Sequence, residues 1–409
     1  MSDRRFDNPF RPGAGHPPPY LAGRETELVE MSNLLRQRVI LANLVLTGLR
    51  GVGKTVLLEA FKPIALRRDW LWCGTDLSEA ASVSEETLAT RIIADVSLVT
   101  SSLVVMETKQ LEMGFARKQK VIIQPLNYDI LRDHFDRTPG LVSDKLKSML
   151  EFVWEVLPQA AISGIIFAYD EAQTLADHAK NQQFPLSLLL DVFQSLQRKS
   201  IPFMLALTGL PTLLPKLVES RTYSERMFHS VFLRKLEDKD ARDAIMKPIK
   251  DQECPIKFSE SSVDTIVSLS AGYPYFIQFI CRDVFDIWVA KAPTGEIPSV
   301  PAREIIRKLD ADFFQGRWAK TTDRQRELLQ VVSMLPNADN EFTVQEVVAS
   351  SRESLVKPFT PSHVSQMLSS LADAGLVYKN RHGKHSLGVP LLAQFIQRQI
   401  SSAVRWPAS

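Results

Sequence analysis

The chain has 409 residues, of which 45% are hydrophobic and 23% are charged, and its formal net charge at pH 7 is +2. This length exceeds what one compact core usually holds and predicts two or three domains of soluble, globular composition. The near-neutral balance excludes a basic coat over the whole surface, although it allows a local basic patch.

Cysteine usage and hydropathy indicate a cytoplasmic location. Cys73, Cys254 and Cys281 are far apart, form no C-x-x-C pair and have no histidine at metal-ligand spacing. We interpret them as buried free thiols in a reducing compartment. The N-terminus has no apolar signal core, and Asp95 and several hydroxyl side chains interrupt the most apolar run, residues 92–106. We therefore expect neither a secretion signal nor a membrane span.

Residues 1–20 are rich in proline and glycine, which disfavour both helix and sheet. We expect an extended arm that is either disordered or laid along a neighbouring subunit. The next stretch, residues 21–38, predicts an amphipathic helix because its apolar residues recur on one face. Gly23-Arg24-Glu25 stands at its entrance, and its spacing alone indicates only a helix start.

The strongest motif runs from Leu44 to Thr55, where an apolar stretch breaks into a glycine-rich loop. From Gly48 onward it matches the phosphate-loop pattern G-x-x-x-x-G-K-[ST] in full. The apolar stretch predicts a strand and residues 56–62 predict a helix, as the motif requires on its two sides. The alternative is a glycine turn that feeds an ordinary helix.

Each residue type in this loop suits one part of a nucleoside triphosphate. The glycines can take backbone angles closed to other residues, so that consecutive N–H groups form a nest for phosphate oxygens. The following helix adds the positive end of its dipole. Lys54 would reach the β and γ phosphates, and the Thr55 hydroxyl would hold Mg²⁺. The predicted nucleotide-binding set is Gly48, Gly51, Val52, Gly53, Lys54, Thr55 and Val56.

A long region separates this motif from the next core strand. Residues 70–76 predict a second strand and residues 87–99 a helix. The region from there to Ala160 is too long for a plain connection, and we expect a helix-rich insertion over about 100–160. Its basic cluster is either a solvated face or a nucleic-acid contact, and the members are Lys109, Arg117, Lys118 and Lys120.

A second strong motif, Gly164-Ile-Ile-Phe-Ala-Tyr-Asp170-Glu171, is a continuous apolar run that ends in two acids. Such a run predicts a strand buried on both faces. Beside a phosphate loop, Asp170 can hold Mg²⁺ through water, and Glu171 can polarise a water molecule aimed at the γ phosphate. The pair therefore predicts hydrolysis as well as binding, whereas without the loop it would indicate a turn after a buried strand.

The following strands supply further candidates. Residues 201–209 predict a buried strand whose end, at Thr208, would line a nucleotide crevice and orient water or the γ phosphate. A strand is also predicted over 231–236. Before it, Arg226 or Arg221 could insert into a neighbouring subunit's site and stabilise charge on the transferring phosphoryl group. Either arginine could instead form a surface salt bridge.

The C-terminal third predicts helices and one hairpin. Helices over 238–247, 259–269 and 272–290 form a small helical unit. Three helices and two short strands, over 324–335, 344–351, 362–374, 375–379 and 385–389, predict a winged helix.

The third helix of that predicted winged helix would enter a DNA major groove while the wing meets phosphates. The helix has no lysine or arginine, and winged helices also dock proteins, so both DNA contact and protein docking remain open. The residues concerned are Ser362, His363, Ser365, Gln366 and Ser369 in the helix, and Lys379, Arg381 and Lys384 in the wing.

These motifs and their order resemble AAA+ ATPases over roughly residues 21–400. More narrowly, they resemble the group of origin-recognition-like initiators, DNA-transposition regulators and STAND signalling ATPases. The resemblance implies an α/β fold, with a P-loop AAA+ parallel sheet of five strands, a helical lid and a C-terminal winged-helix domain. The implied domains are an arm (1–20), a nucleotide-binding core (21–236), a lid (237–318) and a winged helix (319–402).

The resemblance also implies individual roles. Leu21 to Glu25 looks like the adenine-side box of the family, so Gly23 and Arg24 become nucleotide-binding candidates. Thr208 looks like sensor 1 and Arg226 like an arginine finger. Many members carry a sensor arginine where this chain has Tyr275, and this departure implies slow hydrolysis or a switch rather than a motor.

The expected function is an ATPase that uses Mg-ATP as a conformational switch, forms homo-oligomers with ATP between subunits, and engages duplex DNA. One alternative is a STAND-like signalling or defence switch whose winged helix packs against the core without touching DNA. Another is a dedicated partner ATPase that activates an effector protein such as a nuclease or transposase.

Overall fold

The computed structural model describes residues 7–13, 15–37, 39–74, 76–113, 116–250, 257–291, 299–354, 356–381 and 383–404. The chain folds into two compact units. The sheet unit comprises Thr26–Thr47 and Leu57–Phe232, and the helical unit comprises Met1–Glu25, Gly48–Val56 and Leu233–Ser409.

The sheet unit contains a five-stranded sheet in the order β2-β5-β6-β1-β7 and a separate two-stranded hairpin, β3-β4. The strands are β1 Asn43–Gly48, β2 Trp70–Cys73, β3 Val104–Met113, β4 Ala116–Pro125, β5 Gly164–Tyr169, β6 Phe203–Gly209 and β7 Phe228–Leu233. The helices up to β7 are α1 Glu25–Leu34, α2 Lys54–Leu66, α3 Glu85–Thr100, α4 Tyr128–Arg137, α5 Val142–Val156, α6 Pro185–Arg198, α7 Leu213–Ser220 and α8 Ser224–Met227.

Parallel pairing fixes which residues of β1, β5 and β6 lie level with one another. Leu207 of β6 pairs with Val45 on one side and with Tyr169 on the other. Every residue of β5 and β6 is buried, as their continuous apolar runs predict for strands covered on both faces. The carboxyl ends of these strands therefore lie at one edge of the sheet.

A buried asparagine ties the opposite edge together. Asn43, the first residue of β1, is fully buried, and its Oδ1 accepts a hydrogen bond of 2.8 Å from the Leu205 amide of β6. Its Nδ2 donates to the Met227 carbonyl at 3.2 Å, and Gln197 of α6 bonds both polar atoms of the Asn43 amide. Because its polar atoms are satisfied, this amide fixes the position of β1 without a desolvation penalty.

The expected helix-rich insertion over 100–160 is only partly correct. Helices α4 and α5 occupy 128–156, but residues 104–125 form the antiparallel hairpin of β3 and β4. The hairpin sequence has no regular two-residue period, because apolar runs at 104–106 and 121–123 flank polar runs at 107–110 and 117–120. Its local pattern therefore does not favour strands over helices. The side chains of the basic cluster in this hairpin lie outside the described residues.

The last strand of the large sheet also differs from its prediction. β7 covers Phe228–Leu233 instead of 231–236. Phe228, Val231 and Leu233 are buried while Ser230 and Phe232 are exposed. The apolar residues that the sheet buries thus begin at Phe228, three positions before the predicted start of the strand.

The helical unit continues from Leu233 with helices and a second hairpin. The helices are α9 Asp238–Lys250, α10 Glu260–Ser270, α11 Pro274–Lys291, α12 Ala302–Leu309, α13 Gly316–Trp318, α14 Asp323–Ser333, α15 Val344–Ser354, α16 Pro361–Asp373 and α17 Leu392–Val404. The hairpin strands are β8 Val377–Arg381 and β9 Lys384–Leu387. The predicted helices and hairpin are confirmed, whereas α12, α13 and α17 were not predicted.

One apolar cluster joins α9–α11 to the C-terminal segment, which we define as residues 323–404. The ring of Phe314 stacks on that of Phe395 in α17, with centroids 5.0 Å apart. Arg398 of α17 donates from Nε to the carboxylate of Asp310 at 3.0 Å. These elements of the helical unit therefore pack as one body.

The N-terminal arm packs on α11 of its own chain. The Asn8 amide donates to the carbonyl of Arg282 at 3.0 Å and to the carboxylate of Asp286 at 2.8 Å. Phe10 is 1% exposed, and its ring meets those of Phe258 and Phe285 edge to face. For this part of the arm, burial of an aromatic ring replaces both the disorder and the packing on a neighbour that the sequence suggested.

The described cysteines agree with their interpretation as free thiols. Cys73 and Cys281 are buried and unbridged, and burial raises the pKa of both thiols. Cys254 lies outside the described residues. Within those residues, no helix combines the length and the apolar character that crossing a membrane requires.

We expect Phe10→Ala to lower the free energy of unfolding of the helical unit by about 3–5 kcal/mol, because the variant loses a buried ring and leaves a cavity. Urea denaturation, monitored by circular dichroism, measures this free energy of unfolding. Val356→Ala is the control, since the side chain of Val356 is fully exposed, and it should change stability by less than about 0.5 kcal/mol. Equal midpoints for the two variants would contradict the packing of the arm.

Candidate functional site

The glycine-rich loop joins β1 to α2 and adopts a backbone that glycine favours. Gly51 and Gly53 have φ angles of +80° and +91°. A Cβ atom on Gly53 would meet no described atom within 4 Å, whereas one on Gly51 would lie 3.1 Å from Cβ of Tyr275. Successive peptide groups in such conformations can direct their N–H groups into one concavity, so the loop fits a phosphate group.

Lys54 is the first residue of α2, and its ammonium group is held against the loop. Its side chain is buried, and Nζ donates to the carbonyls of Gly48 and Leu49, both at 3.0 Å. A buried ammonium needs such acceptors because its desolvation is costly. The same charge lies at the amino end of a helix, where anions are favoured.

Arg24 braces the loop through backbone carbonyls. Its guanidinium is buried, and Nη2 donates to the carbonyl of Val52 at 3.0 Å and to that of Arg234 at 2.7 Å. Gly23 has a φ angle of +58°, and a Cβ there would lie 2.5 Å from a carboxylate oxygen of Asp240. These contacts indicate that Arg24 positions the loop, a role that the sequence did not suggest.

The start of α11 also contacts the loop. The backbone N–H of Tyr275 donates to the carbonyl of Gly51 at 3.1 Å. The Tyr275 ring packs edge to face on Phe313, with centroids 5.3 Å apart. The position where the resemblance implies a sensor arginine therefore touches the loop through its backbone.

Two further segments of the helical unit reach the loop and the first turn of α2. A Cβ on Gly15 of the arm would lie 3.3 Å from the methyl group of Thr55. A Cβ on Gly375, in the turn between α16 and β8, would lie 3.3 Å from Nη1 of Arg50. Burial lowers the pKa of Arg317, and the neighbouring charge of Arg50 lowers it further. The loop thus has both the arm and the C-terminal segment as neighbours.

In the sheet unit, Asp170 and Thr208 meet at the carboxyl edge of the sheet. They directly follow the paired residues Tyr169 and Leu207. The Thr208 hydroxyl donates a short hydrogen bond to Oδ1 of Asp170, and the amide of Glu171 donates to the same oxygen at 2.8 Å. Both side chains are buried, so the carboxylate is fixed in one orientation.

Glu171 is exposed, and its backbone is left-handed with a φ angle of +51°. A non-glycine residue pays about 1–3 kcal/mol for such a conformation, which is common at active sites. Nε2 of Gln173 donates a short hydrogen bond to Oε2 of Glu171. Sequence reasoning missed Gln173, although its place two residues after the acid pair was a usable signal.

The two candidate arginines have different surroundings. Arg221 forms a two-pronged ion pair with Asp191, with Nε–Oδ1 and Nη2–Oδ2 distances of 2.9 and 2.6 Å. Tyr223 also donates to Asp191 at 2.6 Å. Burial of Asp191 raises its pKa, but the hydrogen bonds from Arg221 and Tyr223 outweigh this effect and leave the pKa lowered. Arg226 is exposed at the end of α8, and the described residues offer its guanidinium no ion pair.

Helix α16 buries an apolar face and exposes a polar one. The buried side chains are Val364, Met367, Leu368 and Leu371. The residues predicted to face DNA are all exposed, namely Ser362, His363, Ser365, Gln366 and Ser369. In the hairpin, Lys379 is exposed and Lys384 is half-exposed, while the side chain of Arg381 lies outside the described residues.

The described residues contain no group of three or more His, Cys, Asp or Glu side chains that could hold a metal ion. The predicted Mg²⁺ ligands are a hydroxyl from Thr55 and a carboxylate from Asp170. Oxygen donors of this kind suit Mg²⁺, which is usually held by one or two protein oxygens together with substrate phosphates and water.

A family model described as "Domain of unknown function (DUF8462)" matches residues 311–396. No curated protein matches the sequence.

Among solved structures, the ADP form of the Aeropyrum pernix ORC2 protein is similar over 95% of this chain and 98% of that chain, with 12% identity and a TM-score of 0.53. The ADPNP-ADP complexes of the same protein are similar over 97% and 98%, with 11% identity and a TM-score of 0.51. The Aeropyrum pernix ORC1 protein in complex with DNA covers 95% of both chains, with 16% identity and a TM-score of 0.45. The sheet order and the similarity to ORC2 confirm the predicted α/β fold with a parallel sheet of five strands.

Proposed function

We propose that this chain binds and hydrolyses Mg-ATP and that its nucleotide state controls assembly and DNA engagement. The observation that carries the proposal is the phosphate loop, in which left-handed glycines precede a buried lysine at the start of a helix. The buried pair of Asp170 and Thr208 at the end of the neighbouring strands gives further support.

In this proposal the loop binds the triphosphate with its backbone N–H groups. The ammonium of Lys54 exchanges the carbonyls of Gly48 and Leu49 for β and γ phosphate oxygens, which offer full negative charge in place of a dipole. Thr55 and Asp170 hold Mg²⁺, which neutralises charge on the phosphates when bound. Thr208 keeps the Asp170 carboxylate in the orientation that this contact needs.

Glu171 is the proposed general base. Its carboxylate accepts a proton from water as the water oxygen forms a bond to the γ phosphorus. The bond between that phosphorus and the β–γ bridging oxygen breaks, and ADP leaves with the electron pair. The exposed position of Glu171 gives its carboxylate access to water.

Arg226 is the proposed finger that acts on ATP in a neighbouring copy of the chain. The ion pair between Arg221 and Asp191 supports this choice, because it already occupies the guanidinium of Arg221. A site completed by a second copy would make hydrolysis depend on homo-oligomer formation. Tyr275 has no guanidinium to offer the γ phosphate, which supports slow hydrolysis and a switch.

The C-terminal segment is proposed to be a winged helix that binds duplex DNA, and α9–α11 to act as the lid. The exposed polar face of α16 supports groove contact, and Lys379 and Lys384 support phosphate contact. The proximity of Arg50 in the phosphate loop to Gly375 supports coupling between nucleotide and DNA.

One observation favours a second candidate, a STAND-like switch or partner ATPase whose winged helix docks protein. The C-terminal segment shares a core with the preceding helices, through Phe314 and Phe395 and through the ion pair of Asp310 with Arg398. A domain fixed in this way can transmit a nucleotide signal to an effector protein without touching DNA.

We expect Lys54→Ala to abolish ATP binding, because the loop loses the buried ammonium group that would reach the β and γ phosphates. Titration calorimetry with ATP and Mg²⁺ measures binding directly. Lys62→Ala, a half-exposed lysine later in α2, is the matched control and should bind as the wild type does. Retained affinity in Lys54→Ala would remove the phosphate-loop assignment.

Glu171→Gln should retain ATP binding but lower turnover by about 100-fold or more, because an amide cannot accept the proton from water. Steady-state phosphate release and retention of labelled ATP measure the two effects. Glu219→Gln, an exposed change on α7, should leave both unaffected. Unchanged turnover in Glu171→Gln would exclude this residue as the base.

Retention of duplex DNA at several salt concentrations tests the winged helix. We expect the double variant Lys379→Ala/Lys384→Ala to bind more weakly and to reduce the slope of log affinity against log salt by about 2, since two phosphate contacts are lost. The variant Lys239→Ala/Lys250→Ala removes the same charge from α9 and should bind normally. A wild type that fails to bind DNA at low salt would favour the protein-docking alternative.

A further inference from the structure

The side chain of Gln173 connects the exposed acid to the end of the neighbouring strand. Its Oε1 accepts a hydrogen bond of 3.0 Å from the backbone N–H of Leu210, which follows β6. Its Nε2 donates a short hydrogen bond to Oε2 of Glu171. Because a backbone N–H can only donate, the amide oxygen of Gln173 must face the N–H of Leu210. This orientation leaves the amide hydrogens of Gln173 for Glu171.

The surroundings of Gln173 hold it in this position. Lys216 of α7 donates from Nζ to the Gln173 carbonyl at 2.6 Å, which anchors the backbone. A Cβ on Gly209 would lie 2.6 Å from Oε1 of Gln173 and 2.9 Å from a methyl group of Leu213. The amide reaches Leu210 only because residue 209 has no side chain.

Glu171 itself has few other restraints on its carboxylate. It is exposed, and its neighbour Asp170 is instead fixed by the buried hydroxyl of Thr208. An exposed glutamate samples several rotamers, and ordering it costs conformational entropy. A hydrogen bond from the fixed amide of Gln173 to Oε2 orders the Glu171 carboxylate before water binds. The second oxygen, Oε1, is then left to accept a proton.

We infer that Gln173 is a positioning residue for the proposed general base: it orients the carboxylate of Glu171 and links that orientation to the end of β6, which carries Thr208. This inference rests on the proposed function. A catalytic base is typically oriented by a third group. In metal sites, loss of a hydrogen-bond partner that orients a ligand costs about 10- to 100-fold, and we expect an effect of this order here.

Two substitutions separate positioning from a merely structural role. Gln173→Glu keeps an oxygen acceptor for the Leu210 amide but replaces the donor that faces Glu171 with a second negative charge. We expect it to lower kcat by about tenfold or more, with the KM and Kd for ATP within about twofold of wild type and the melting temperature unchanged. Gln173→Met removes both hydrogen bonds and should lower kcat similarly, with a lower melting temperature.

Gly209→Ala provides an independent test, because the added methyl group displaces the amide of Gln173 while leaving Gln173 itself intact. We expect kcat to fall without a change in the affinity for ATP. Gln194→Glu, at a half-exposed position in α6 outside this cluster, controls for the added charge and should match the wild type.

The assays are steady-state ATP hydrolysis and calorimetric binding of a slowly hydrolysed ATP analogue, with Glu171→Gln as the reference for loss of the base. If the wild type hydrolyses ATP and Gln173→Glu has full or raised kcat, the positioning role is overturned while the proposed function stands. If the wild type binds no ATP or does not turn it over, both fall. A loss of kcat in Gln173→Glu together with weakened ATP binding would also overturn the inference, because a positioning residue acts on turnover alone.

Discussion

Parallel pairing of β5, β6 and β1 is the constraint on which the candidate chemistry depends. It sets Tyr169, Leu207 and Val45 level, so that Asp170 and Thr208 follow together at one edge of the sheet. At the other end of β1, Asn43 fixes this strand to β6 and to the residue before β7 through buried hydrogen bonds. A shift of one residue in either pairing would separate the hydroxyl from the carboxylate and reverse the direction of every side chain in the strand.

The sequence was most informative where one local pattern determines both structure and chemistry. The spacing from Gly48 to Thr55 and the apolar run before Asp170 predicted strands, a loop and a helix that the structure confirms. Both motifs depend on residues adjacent in the chain. Fold class was accessible for the same reason, because strands that alternate with helices can pair only as a few sheet topologies.

The features that sequence reasoning missed depend on residues far apart in the chain. Arg24 braces the loop through Val52 and Arg234, and nothing in the local pattern around position 24 indicates those partners. Phe10 lies in a segment whose prolines indicate an extended chain but not the surface that receives the ring. The β3–β4 hairpin was missed for another reason: its sequence has short apolar and polar runs without the two-residue period of a half-buried strand, so that only the length of the region guided the prediction.

The helical unit assembles from stretches near the two ends of the chain and from the loop between them. Asn8 and its acceptor on Arg282 are 274 positions apart, and the carbonyl of Gly51 receives its hydrogen bond from Tyr275. Contacts of such long sequence separation form late and slowly. On the ribosome, the strands around Asp170 can therefore pair before the phosphate loop has all of its supports, because the contact from Tyr275 can form only after the start of α11 has been synthesised.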